Sequence, residues 1–171
     1  MKNLILISLA SITLMSCSPK TPATDTVPAD TNAPASAAKL DDGLIIKPSA
    51  HSVSVTIDRL EAAAKSKGLN VFARIDHHQN AANMGLDMPA STLLIFGSPK
   101  IGAPLMNASS TIGIDLPVKA LAYEEDGKVY LSYNDPAYLQ MRHGLTDTQS
   151  MPLRKMSKAV GGLTNKAVST D

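Results

Sequence analysis

The stretch Val118-Lys119-Ala120-Leu121-Ala122-Tyr123-Glu124-Glu125-Asp126-Gly127-Lys128-Val129-Tyr130-Leu131-Ser132-Tyr133 decides the fold class. Two strand-like runs, 118–124 and 128–133, flank Asp126-Gly127. A type I′ turn needs positive φ at both central residues, which Asp tolerates and Gly adopts freely, so the dipeptide predicts a β-hairpin. A regular alternation of strand and helix would not contain one, so a purely parallel sheet is excluded.

Working outward, Thr92-Leu93-Leu94-Ile95-Phe96 is a continuous apolar run ended by Gly97 and Pro99. It reads as a central strand buried on both faces. Residues 70–76 alternate, with Val71, Ala73 and Ile75 on one face and Phe72, Arg74 and Asp76 on the other, the pattern of a half-buried strand. Gly43 opens the domain, and Leu44-Ile45-Ile46-Lys47 reads as a short strand stopped by Pro48. The clearest helix has Ser52 as N-cap, apolar Val53, Ile57, Leu60 and Ala64 at helical spacing, a Glu61–Lys65 pair, and Gly68 just past its end. Pro104 is expected to open a short helix through Leu105, Met106 and Ala108. Another follows Pro136 and ends near Gly144. Leu153, Met156, Val160 and Leu163 predict an amphipathic C-terminal helix opened by Pro152 and weakened at its end by Gly161-Gly162. The expected domain, 43–167, is therefore α+β: a mostly antiparallel sheet of about five strands with helices packed mainly on one face.

The N-terminus carries a different message. Lys2, an apolar run of about 12 residues and small Ser16 before Cys17 have the parts of an export signal, and the run is too short to span a bilayer. Leu14-Met15-Ser16-Cys17 resembles a bacterial lipobox, so 1–16 is expected to be a lipoprotein signal peptide and Cys17 the lipidated residue. Two acyl chains suffice for stable attachment. Ser18, rather than Asp, follows the cysteine, which favours the periplasmic face of the outer membrane in a Gram-negative cell. Residues 17–42 are rich in Pro, Ala, Thr and Asp and poor in large apolar side chains, the composition of a disordered tether. Such a coil reaches about 25–30 Å.

Composition removes several function classes. Cys17 is the only cysteine, so no disulfide staples the domain. The net charge is +1 with Lys and Arg scattered, and there is no Trp, which argues against a nucleic-acid partner. No serine sits in a nucleophile elbow, and Gly97, Gly102 and Gly113 do not form a phosphate loop. No cofactor is implied.

Several segments together are distinctive: Ile75-Asp76-His77; Leu94 to Lys100 followed by Pro104-Leu105-Met106; Gly113 to Lys119; and Ser132-Tyr133-Asn134-Asp135-Pro136 with Tyr138 and Arg142-His143. In order and spacing they resemble the family called domain of unknown function 302. The resemblance implies a small α+β domain, sometimes exported and self-associating, and supplies no reaction.

The polar residues of these segments are the candidate ligand-binding set: His77, Asn134, Asp135, Arg142 and His143. Asn134 or Asp135 can equally cap the helix that begins at Pro136, and Arg142 can pair with Asp135 or with an acidic ligand. The first reading is a non-enzymatic, lipid-anchored envelope module that binds a small ligand or an envelope protein, with a homodimer as a further expectation. The alternative is a metal-binding protein or hydrolase using His77, His78, His143 and Asp135, which requires the imidazoles to converge. Asp76-His77-His78 reads as a strand end, where neighbouring side chains point to opposite faces.

Overall fold

The computed structural model describes residues 43–170, so the expected signal peptide, Cys17 and the tether over 17–42 lie outside the described residues. The elements are β1 (Leu44–Ser49), α1 (Val53–Ser66), β2 (Asn70–Asp76), α2 (His77–Ala82), β3 (Ser91–Gly97), α3 (Pro99–Ala108), a 3-10 turn (Ser110–Ile114), β4 (Val118–Glu125), β5 (Lys128–Asn134), α4 (Pro136–Arg142) and α5 (Met151–Val168). The sheet has five strands in the order β1-β5-β4-β3-β2, and every neighbouring pair is antiparallel. The hairpin is as expected: Asp126 and Gly127 have φ of 52° and 70°.

One face of the sheet carries the core. Leu94 and Phe96 of β3, Ala120 and Ala122 of β4, and Leu131 and Tyr133 of β5 are buried there. Against them lie α1, through Ile57, Leu60 and Ala64, and α5, through Leu153, Met156, Val160 and Leu163. The alanines of α1 and β4 let backbone approach backbone, and the larger side chains fill the space beside them.

The opposite face is less covered. By register, Leu93 stands beside Ile75 and Leu121, and Tyr123 beside Tyr130, with the two rings stacked at 5.6 Å. Leu93 and Ile95 are only half-buried, so β3 alternates between a core face and an open face rather than being buried on both. Its apolar run fooled the pattern because the open face is apolar too.

Four boundaries differ from the sequence reading. Pro48 does not stop β1, because β1 is an edge strand, where a missing N–H need not break a ladder bond. Pro99, not Pro104, opens α3, and Pro104 sits inside it at the cost of one bond to the exposed Lys100 turn. Helix α5 runs through Gly161-Gly162 to Val168, because Thr164 and Ala167 continue its buried face. The Lys47 ammonium on β1 also clasps it, bonding the Gly161 carbonyl at 3.2 Å, Thr164 Oγ1 at 2.7 Å and Asn165 Oδ1 at 2.6 Å. Finally, His77 and His78 open α2 rather than ending a strand, with Asp76 as N-cap accepting from the Gln79 N–H at 2.9 Å.

Candidate functional site

Antiparallel pairing brings the end of β3, the starts of β2 and β4, and the end of β5 to one edge of the molecule, together with α3, α4 and the 3-10 turn. Two features lie there.

The first is polar. Asp115, just after the 3-10 turn, is buried, and its Oδ2 accepts from His143 Nε2 at 2.6 Å. Its Oδ1 accepts from Asn134 Nδ2 at 3.3 Å, and the Arg142 Nε lies 3.6 Å from Oδ2. The other imidazole nitrogen, Nδ1, is 2.9 Å from the Thr111 hydroxyl, which in turn meets Ser109 Oγ at 3.2 Å. With Nε2–H donated to the carboxylate, Nδ1 is the acceptor for the Thr111 proton. This is the polarity a general base needs. It is equally the way a buried imidazole satisfies both its nitrogens.

Of the sequence candidates, Asn134, Arg142 and His143 converge here, on a carboxylate that the sequence reading passed over. Arg142 pairs with Asp115, not Asp135. Asp135 caps α4, accepting from the Ala137 N–H at 2.9 Å. His77 does not belong to the cluster. It begins α2 at the far end of β2, and β2 and β5 are three places apart in the sheet, so roughly 25 Å of strand length and spacing separate it from Asn134. His78 Nδ1 bonds the Met88 carbonyl at 2.7 Å. The metal alternative therefore fails to converge: His77 and His78 are neighbours on α2 while His143 sits at Asp115, and among the described residues no group of three or more His, Cys, Asp or Glu could hold a metal ion.

The second feature is an apolar cavity of about 260 Å³. Strand β3 supplies Phe96 and Gly97, α3 supplies Ile101, Gly102 and Met106, and α5 supplies Met156, Ala159 and Val160. Apart from Ser98, every lining residue is apolar or glycine. A register shift between Val71 and Ala73 in β2 leaves Phe72 as an extra residue, and its half-exposed ring forms part of the wall. Leu116 and Pro117, which also line the cavity, directly follow Asp115. Asp115, His143 and Thr111 themselves do not line it. Sequence reasoning missed the cavity, because methionines and glycines that line a hollow look the same in sequence as those that fill a core.

A two-layer α+β domain with helices on one sheet face, an apolar hollow at one strand end and a buried carboxylate–imidazole pair beside it is the class these features define. The chain belongs to the family described as domain of unknown function DUF302, whose model matches residues 45–163. A crystal structure of an uncharacterized conserved DUF302 protein from Bacillus stearothermophilus is similar in fold. It has a TM-score of 0.66 and 20% identity, and the match covers 74% of this chain and 98% of that one. Proteins from Brucella suis and Brucella abortus named "Fluoride-specific ion channel FluC 1" are each 45% identical over 135 residues, 78% of this chain. The match covers 53% and 50% of them, so the chain spans about half the length of these curated relatives. Among the described residues no helix is long and apolar enough to cross a membrane.

Proposed function

We propose that the chain is a non-enzymatic binding module, held at the cell envelope by acyl chains on Cys17, that takes a small apolar ligand into the cavity beside β3, α3 and α5. The observation that carries this reading is the cavity itself: a hollow of about 260 Å³ with an almost wholly apolar wall. Ligand sites are concave and mostly apolar, whereas a core of this size packs to leave few voids. The lipobox-like Leu14-Met15-Ser16-Cys17 supports the anchor, and the channel names of the Brucella relatives agree with a place at a membrane. The periplasmic face of the outer membrane is the location favoured for a Gram-negative cell.

Two measurements test this. Palmitate labelling and membrane fractionation of the chain and of Cys17→Ser address the anchor; an unlabelled wild-type chain refutes it. Binding of the apolar fluorophore N-phenyl-1-naphthylamine to the full Cys17→Ser chain addresses the cavity. Gly102→Phe places a ring at the cavity wall, where a Cβ would lie 3.5 Å from the flexible Met106 terminus, and a melting transition like the parent's shows that the variant folds. Loss of fluorophore binding in Gly102→Phe supports the reading, and unchanged binding refutes it.

The open sheet face is the surface for the homodimer. Five strands spaced about 4.8 Å apart and about 20 Å long give roughly 480 Å² of flat area per copy. Two such faces with side-chain relief reach the roughly 1,000 Å² of a specific interface. Charge agrees: β4, the middle strand, carries Lys119 at one end of this face and Glu125 at the other, with Leu121 and Tyr123 between. A two-fold axis across the strands sets Lys119 over the partner copy's glutamate.

One observation favours a hydrolase as a second reading: the Thr111 hydroxyl rests on an imidazole backed by a carboxylate. It predicts ester hydrolysis lost in Thr111→Ala. Absence of hydrolysis of p-nitrophenyl acetate and butyrate by the wild-type chain retires it.

A further inference from the structure

A second hollow, of about 430 Å³, lies between α1 and α5 and shares the wall residues Leu69 and Ala159 with the apolar cavity, so the two are neighbours. Its character is different. Lys67 at the end of α1 and Lys158 and Lys166 of α5 line it, together with the Ser66 side of α1, and no acidic residue does. None of these three ammonium groups has an ion-pair or hydrogen-bond partner among the described residues, as is also true of the exposed Lys100, Lys128 and Lys155; what sets the trio apart is that it lines one hollow. Gly162 forms part of the same wall, and a Cβ there would meet nothing within 4 Å. No side chain projects into the groove from this position of α5.

We infer that the ligand is an anionic amphiphile, with its hydrocarbon tail in the apolar cavity and its carboxylate or phosphate head among Lys67, Lys158 and Lys166. This rests on the cavity reading and names the ligand class. A greasy pocket alone accepts any apolar molecule; an adjoining trio of unpaired cations selects one whose polar end is negative. The cavity holds roughly nine water-sized groups at about 30 Å³ each, so a tail of eight to ten carbons fills it. Each methylene buried raises affinity about fourfold. The lysines are exposed, so their share is screened by salt.

The test uses the full Cys17→Ser chain, which has no acyl group of its own to compete. Hexanoate, octanoate, decanoate and decanol are titrated by isothermal calorimetry at low and high salt, against the chain, Gly102→Phe, and the triple variant Lys67→Ala, Lys158→Ala, Lys166→Ala. The expected results are affinity rising about fourfold per carbon up to decanoate, decanoate binding about tenfold tighter than decanol at low salt, and loss of that preference in the triple variant. Gly102→Phe should bind neither. Equal binding of decanoate and decanol by the unmodified chain, or an anion preference that survives the triple substitution, overturns the head-group assignment and leaves the cavity reading standing. Hexanoate binding as tightly as decanoate overturns the tail assignment. Failure of every ligand, with Gly102→Phe indistinguishable from the parent chain, overturns both.

Discussion

Asp115 and His143 are expected to be worth more to stability than any other polar pair in the domain, and to be strongly coupled. Their side chains are 9% and 4% exposed, and they meet at 2.6 Å. Removing the imidazole in His143→Ala takes away the short bond to the carboxylate, leaving it Asn134 at 3.3 Å and the half-exposed Arg142 at 3.6 Å. A hydrogen bond to a charged group contributes about 1.5–3 kcal/mol, and the lost burial of the ring adds to that, so His143→Ala should cost about 3 kcal/mol. Asp115→Ala strands a buried N–H, and a donor left so costs about 1–3 kcal/mol beyond the lost bond. The double variant removes the carboxylate and the donor together, so its cost should fall short of the summed single costs by at least about 1.5 kcal/mol. Thr111→Val breaks two exposed, neutral bonds, to His143 Nδ1 and Ser109 Oγ, and should cost about 1 kcal/mol, well below His143→Ala. Urea unfolding of the full Cys17→Ser chain measures each; in thermal melts, every kcal/mol should lower Tm by about 3–5 °C. Strict additivity, or a His143→Ala chain within about 0.5 kcal/mol of the parent, would show that the pair does not hold the 3-10 turn against α4.

Leu121→Arg puts a charge at the centre of the open sheet face and should give a monomer at concentrations where the parent chain sediments as a dimer; a parent that is monomeric at 100 times the working concentration, about 1 mM in practice, refutes the interface. Burial lowers the pKa of Lys47 from its ordinary 10.5. Between the folded value and 10.5 the unfolded chain holds more protons, so stability should rise with pH across that window. Lys47→Met should flatten the rise, and a parent curve that falls there contradicts the assignment. The readings belong below about pH 10, because burial raises the Tyr133 phenol and its effect above that point is opposite in sign. Gly43 has φ +78°, and a Cβ there would run into the Tyr138 ring, so Gly43→Ala should cost about 2 kcal/mol or more by denaturant melt, while Gly85→Ala, with φ +72° but open space, should cost about 1 kcal/mol.

Much of the fold was legible because it is written in local rules. Asp126-Gly127 needs no tertiary information to turn a hairpin, and Ser52 to Gly68 carries a cap, an apolar stripe and a stop for α1. Where local rules failed, distant partners had overruled them. The Gly161-Gly162 step stays helical because Leu163, Thr164 and Ala167 pack and Lys47 reaches across from the far edge strand. Pro48 stays in a strand because only the sheet order, β1 outermost, makes its missing N–H harmless.

The candidate site divides along the same line. Asn134, Arg142 and His143 stood out because they flank one strand-to-helix junction, and the fold does bring them together. Asp115, the group they converge on, lies 28 residues before His143 in the chain and stood only as one position of the Gly113 to Lys119 segment. His77 failed for a geometric reason: strand ends next to conspicuous residues are not all at the same end of a sheet, and only the pairing of Asp76 with Thr92 shows which end β2 delivers it to. The cavity was invisible because hollowness is a property of what several elements leave unfilled. Yet its charged neighbour left a trace. Lys158, Gly162 and Lys166 recur every four residues along α5, a row that places two cations and a gap on one side of a helix otherwise read only for its apolar stripe. The proposed anionic head group would lie against this row, where Gly162 leaves room between the two lysines.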